Sequence, residues 1–241
     1  QAVGFMYPLG EGMVQFYGIP MDFYNESLQA WENVAINSLN LATLCIGLGQ
    51  RVRTAAGLRR VEDLRPGDLV WTLDHGFQPL RHLIRHAGRG PLLHLPAYLT
   101  GADRAILLSP QHRVLLSSPR LHLWTGAAEA LAPALALRPW GAPAGPGPVV
   151  NLVFDRHEII AVEGLCVESL LLGRRAGGGV PASTWLALAA LRGRNRATQP
   201  CRPILRLGLA RALISADLAE GACPLVPAPA HAARQRRKEA R

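Results

Sequence analysis

Val61-Glu62-Asp63-Leu64-Arg65-Pro66-Gly67-Asp68-Leu69-Val70-Trp71-Thr72 reads as two apolar anchors, a reversal and a new strand. Val61 and Leu64 are spaced to pack inward, Pro66-Gly67 supplies the turn, and Leu69-Val70-Trp71-Thr72 resumes extended structure. Asp74-His75-Gly76 turns the chain again. Just upstream, residues 50–54 alternate polar and apolar side chains, and Ala55-Ala56-Gly57 reverses them. This is hairpin-building sequence and predicts a body of short strands. Further strands are expected over residues 105–108, 114–116, 149–154 and 157–162. The Gly-, Ala- and Pro-dense stretch 140–148 reads as a surface loop within that body.

Composition agrees with this reading. A chain of 241 residues that is 49% hydrophobic can bury a real core, which excludes a disordered protein. Its 24 glycines and 19 prolines favour many turns over long helices. The net charge of +9 is spread along the chain, with a dense run only at Arg234-Gln235-Arg236-Arg237-Lys238, so a solvated tail is expected rather than a specific nucleic-acid surface. The apolar stretches 182–191 and 204–214 are too short or too Arg-interrupted to span a bilayer, and no membrane span is expected. The first residue is Gln1, with no basic segment leading into an apolar one, so the natural start is expected upstream and the sequence gives no address.

The chain divides by composition. Residues 1–24 read as short extended segments. From Asn25 a helical stripe of Leu28, Trp31, Ala35 and Leu39 predicts one amphipathic helix. Beyond Leu172 a Gly-rich stretch leads to two helical candidates, 183–191 and 204–213, broken by Pro200 and Pro203. From Gly221 onward Pro, Ala and basic residues predict a disordered basic tail. The expected units are a flank 1–44, a β domain 45–172, a helical appendix 173–220 and a tail 221–241.

Three blocks carry the chemistry. The first opens Cys45-Ile46-Gly47-Leu48-Gly49-Gln50-Arg51-Val52-Arg53-Thr54 and continues into the Val61 to Asp68 stretch quoted above. The second is Leu107-Leu108-Ser109-Pro110-Gln111-His112-Arg113-Val114. The third is Leu152-Val153-Phe154-Asp155-Arg156-His157-Glu158-Ile159-Ile160-Ala161-Val162-Glu163-Gly164. In order and approximate spacing they resemble the Hedgehog/intein (Hint) family, and the third is similar to the late β block of bacterial Hint proteins. The second block keeps a hydroxyl, Ser109, where the family has Thr; Ile46 and Leu48 stand where the family commonly has Phe and Pro.

The resemblance implies a mostly β, horseshoe-like Hint fold with two pseudo-symmetric halves and a small C-terminal helical appendix. It also implies an acyl shift, in which the Cys45 thiolate attacks the carbonyl of Leu44 and replaces the amide by a thioester. His112 would then protonate the departing nitrogen, and Ser109 would donate to the scissile carbonyl or hold His112 in orientation. Asp155 and His157, two apart and so on one face of a strand, would assist deprotonation or thioester resolution. The place where inteins carry His-Asn reads Val167-Glu168-Ser169, so amino-terminal cleavage without splicing is expected. The partners implied are the chain's own flank as substrate and water or a small thiol as acyl acceptor, with no cofactor. The family allows a secreted or extracellular setting.

Plainer readings stand beside these. A Hint domain that has lost processing and serves as a binding or structural module is the alternative function. Cys166, Cys201 and Cys223 have no CxxC spacing and read as small buried hydrophobes, with a disulfide among them left open. His82 and His86 have metal-ligand spacing but lie in extended sequence and lack the Glu of HExxH, so no metal is expected. Arg51, Arg53, Arg59, Arg60, Arg65 and Arg81 read as solvent-facing strand residues. The stripe Ile204, Leu207, Arg211 and Ile214 reads as a face packed on the β body.

Overall fold

The computed structural model describes residues 4–9, 12–17, 45–88, 90–102, 104–171 and 199–229. The chain separates into two units, 1–42 and 43–241. In the first, strands β1 (Gly4–Leu9) and β2 (Gly12–Tyr17) form an antiparallel hairpin running from Gly4 opposite Tyr17 to Leu9 opposite Gly12. The expected helices at 25–39 and 183–191 lie outside the described residues.

The second unit is built from hairpins. In β4 (Arg51–Thr54) Val52 and Thr54 alternate inward, and β5 (Gly57–Arg60) returns after a turn in which the Thr54 hydroxyl donates to the Gly57 carbonyl at 2.7 Å. A 3-10 turn over Val61–Asp63 leads into the reversal, and Val61 and Leu64 are both buried, as their spacing predicts. Pro66-Gly67 forms the turn with Gly67 at φ 95°, closed by an Asp68 N–H to Arg65 carbonyl bond of 3.0 Å. The left-handed second corner is why glycine is needed there. Strands β6 (Leu69–Thr72) and β7 (Gly76–Pro79) follow as the predicted hairpin.

The remaining strands complete two open antiparallel sheets. They are β3 (Ile46–Gly47), β8 (His82–His86), β9 (Pro91–Leu95), β10 (Ile106–Leu108), β11 (Arg113–Leu116), β12 (Ala130–Pro133), β13 (Ala142–Pro146), β14 (Val149–Val153), β15 (Ile159–Val162) and β16 (Leu165–Glu168). The six-stranded sheet is ordered β13-β9-β10-β3-β14-β8; the eight-stranded one runs β12-β11-β16-β15-β4-β6-β7, with β5 on β4. A single apolar core includes residues of both, among them Ile46, Leu108 and Val150 from the first and Val52, Val114 and Val167 from the second. The fold is mostly β, as the sequence predicts. Helices α1 (Ala97–Thr100), α2 (Pro119–Thr125) and α3 (Leu207–Ala219) are minor additions.

Three expectations are corrected. Residues 140–148 are partly to fully exposed but not irregular: β13 pairs with β9, and its Pro143 and Pro146 are tolerated because it is an edge strand with a register shift. The C-terminal helix is α3, beginning at Leu207 rather than 204, because Pro203 and the Ile204–Leu131 bridge keep the preceding chain extended. Its buried face is Ala210, Leu213, Ile214 and Asp217, one step along from the predicted stripe, and it does pack on the body. Finally, residues 222–228 are not a loose tail. The Cys166 N–H donates to Val226 O at 3.0 Å and the Val226 N–H to Leu115 O at 3.1 Å, so the segment lies between β11 and β16 where they diverge. It satisfies backbone groups that would otherwise be buried unpaired, and Leu225 and Ala228 are buried there. Residues 230–241 lie outside the described residues.

Candidate active site at the junction of the two sheets

Several connections pass from one sheet to the other, and two of them carry predicted site residues: 109–112 from β10 to β11 and 154–158 from β14 to β15. Cys45 immediately precedes β3, which crosses to β4 through residues 48–50.

Cys45 is 0% exposed and packs with Leu92 and Val149. Both of its backbone groups are bound by one residue: its N–H donates to Ser109 Oγ at 2.9 Å, and its carbonyl accepts the Ser109 N–H at 2.9 Å. Its sulfur accepts a hydrogen bond from Asn151 Nδ2 at 3.4 Å. Burial pushes the thiol up to about 12, with the Asn151 bond pulling the other way. The strand it opens approaches β10 so closely that a Cβ at Gly47 would lie 2.8 Å from Leu107 Cβ. Beyond it, the Gly49 N–H donates to Glu62 Oε2 at 2.8 Å, which ties the loop after Cys45 to the turn that follows β5.

Ser109 and His112 are the first and last residues of one turn, with Pro110 at its second position and the His112 N–H donating to Ser109 O at 3.0 Å. The His112 carbonyl accepts from the Ala134 N–H at 2.8 Å, and the side chain is buried. The structure therefore joins Cys45, Ser109 and His112 in one hydrogen-bonded unit at the seam. Leu44, on the other side of the predicted scissile bond, lies outside the described residues.

Asp155 and His157 are held elsewhere. They lie in the bend between β14 and β15, not on one strand face, because β15 begins only at Ile159. Asp155 is half exposed and accepts Arg81 Nε at 2.8 Å, while the Arg81 N–H donates to Val153 O, so the pair joins two inter-sheet connections. His157 is buried; its Nδ1 accepts the Cys201 N–H at 3.1 Å. With Nδ1 accepting, the proton is on Nε2, which donates to Glu168 Oε2 at 3.1 Å. Glu168 also accepts the Arg113 N–H and Arg113 Nη1, each at 2.9 Å. Burial alone would raise this carboxyl, but the His157 hydrogen bond and the neighbouring cationic groups, Arg113 first, outweigh it and hold Glu168 below its ordinary value.

Asn151 and Glu168 are the residues that sequence reasoning missed. The signal for Asn151 is a single amide inside Val149-Val150-Asn151-Leu152-Val153, a strand buried at every position. For Glu168 it is a carboxylate ending the equally buried Leu165-Cys166-Val167-Glu168. His82 and His86 are the first and last residues of β8, so the backbone between them is extended, as the sequence suggests.

Residues 44–174 match the family model of the Hint domain. Among solved structures, the bacterial intein-like domain from Clostridium thermocellum is similar at 16% identity and a TM-score of 0.39, over 52% of this chain and 96% of that one. A splice-inactive variant of the AceL NrdHF class 3 split intein is similar at 13% identity and 0.38, over 52% and 97%. The gp41-1 intein is similar at 9% and 0.32, over 52% and 96%. No curated protein matches the chain.

Proposed function

The chain belongs to the Hint domain family, a family of self-processing domains, and from that premise we propose that it cuts itself at the Leu44–Cys45 bond. The Cys45 thiolate attacks the Leu44 carbonyl carbon; an S–C bond forms, the C–N bond breaks, and the Cys45 nitrogen gains a proton. Water or a small thiol then attacks the thioester and releases residues 1–44. The chain acts once, on itself, with no cofactor demanded by the step.

The observation that carries this reading is the pair of hydrogen bonds between Cys45 and Ser109. The nitrogen of the bond to be cut donates to Ser109 Oγ, which supports Ser109 as the group fixing the orientation of that amide rather than as the oxyanion donor. The same turn ends in His112, which fits the role of the acid that protonates the leaving nitrogen. Asp155 and His157, with their Arg81 and Glu168 partners, fit a part in holding the connections better than a part in proton transfer.

Cleavage without splicing is supported by Glu168-Ser169. Asn cyclisation needs a side-chain amide as nucleophile, whereas Ser169 Oγ is buried and accepts the Glu158 N–H at 2.8 Å. One observation favours the second reading, a retained module without activity: a fully buried nucleophile whose thiol is pushed up to about 12. Intact mass of the wild-type chain and Cys45→Ala over time, each with and without dithiothreitol, separates the two. Cleavage is expected as loss of residues 1–44 from wild type alone, faster with thiol. A wild-type chain that stays whole with excess dithiothreitol and with hydroxylamine would leave the inactive module.

A further inference from the structure

We infer that Asn151 is a catalytic residue of this same reaction, its side-chain amide holding the Cys45 sulfur and stabilising it as the thiolate; the inference rests on the cleavage reading above. Strand β14 pairs with β3 so that Val149 lies opposite Gly47 and Val150 opposite Ile46. Continuing that register brings Asn151 level with Cys45, and the side chains meet: Nδ2 lies 3.4 Å from Sγ. The wall around the sulfur also includes Leu92, Val149, Leu107 and Ala144, an apolar lining that disfavours a charged sulfur.

Asn151 is out of keeping with its strand. Its neighbours Val149, Val150, Leu152 and Val153 are apolar and buried, and Asn151 itself is only 6% exposed. A valine or leucine would suit the packing without the cost of desolvating an amide. The amide makes sense where an anion must form. A thiol at about 12 is ionised to the extent of on the order of one molecule in 100,000 at pH 7, so every tenfold gain in thiolate is a tenfold gain in attacking species. A hydrogen bond to a charged acceptor changes such a population by about ten- to a hundredfold. Protons balance along the path: the one lost from sulfur is matched by the one gained at the Cys45 nitrogen when the C–N bond breaks, so the acyl shift is a net isomerisation.

The test is the rate of thiol-induced cleavage from pH 5 to 9, by intact mass, for the full chain as wild type, Asn151→Leu and Asn151→Asp. Leu keeps the branching and the number of heavy atoms and removes the donor; a ten- to hundredfold slower rate is expected at pH 7. Asp supplies a donor only while protonated. Its rate relative to wild type should therefore recover by at least tenfold as the pH is lowered, a profile that a purely structural defect would not give. A wild-type chain that cleaves while Asn151→Leu stays within twofold of it overturns this assignment alone, as does a pH-independent defect in Asn151→Asp. A wild-type chain that never cleaves overturns the cleavage reading and this assignment with it.

Discussion

The two sheets differ in the charged groups they bury. Beside Cys45, the six-stranded sheet buries a neutral amide, Asn151, and the seam at its edge a hydroxyl, Ser109. The β15–β16 hairpin of the eight-stranded sheet and its flanks bury three carboxylates, Glu158, Glu163 and Glu168, each with a cationic or histidine partner. Glu163 shows how strictly these are used: it sits at φ 47° beside Gly164 at φ 93° in the hairpin turn, and its carboxylate takes the Arg51 N–H at 2.6 Å and the Arg51 guanidinium. Two positive φ values match the right-handed strand twist, and the Arg51 bonds offset the strain on a non-glycine residue. The difference separates two jobs. Charges fix the frame, where desolvation is offset by built partners, while the described side chains packed against the Cys45 sulfur, among them Leu92, Val149 and Asn151, form a neutral wall.

That division makes its largest prediction at His112, where the two sheets meet. His112→Ala should slow thiol-induced cleavage by about 10²–10⁴-fold, the range for loss of a general acid, beyond what the loss of its buried packing would give. A rate within threefold of wild type, by intact mass, would put the proton source outside the Ser109–His112 turn and dissolve the seam as the active centre.

Glu168 should show the opposite pattern, a loss of stability first. Glu168→Gln leaves Arg113 without its anion and should cost about 3 kcal/mol in denaturant unfolding. Because the folded carboxyl titrates below its ordinary value of 4.5, its contribution is complete above that pH and disappears as the pH falls through the lowered value. Wild type should therefore lose stability towards acid more steeply than the glutamine variant. Parallel pH curves for the two would mean that Glu168 is not held as an anion by the fold.

The legibility of these features in the sequence follows from the range of the forces behind them. Pro66-Gly67 and the inward pair Val61 and Leu64 are local, so the hairpins of the eight-stranded sheet are legible in the sequence. The pairing of Cys45 with Asn151 spans 106 positions and that of Arg113 with Glu168 spans 55; neither leaves a periodic trace, only one polar residue in an apolar run. Asp155 and His157 lie in a bend, not on a strand face, and their side chains are held by partners distant in sequence, Arg81 and Cys201, which local alternation does not reveal. Residues 140–148 and 222–228 stand out in the sequence only by composition, which does not register the strand edges they cover.

Two smaller effects sharpen the comparison between neutral wall and charged frame. Gly47→Ala puts a methyl 2.8 Å from Leu107 Cβ, and since both neighbours belong to paired strands the backbone must give. Overpacking of this kind should cost about 1–3 kcal/mol and, because it opens β3 away from β10, should slow cleavage more than the stability loss alone would suggest. The smallest effect is expected at the Arg81–Asp155 pair, both partners of which are close to half exposed. Solvent screening limits Asp155→Asn to about 0.5 kcal/mol, and cleavage should stay within threefold of wild type. A hundredfold loss of cleavage at unchanged stability would bring Asp155 back into the chemistry. It would also show that the bend between β14 and β15 moves during the reaction, since an aspartate bound to Arg81 must first leave that partner to serve as acid or base.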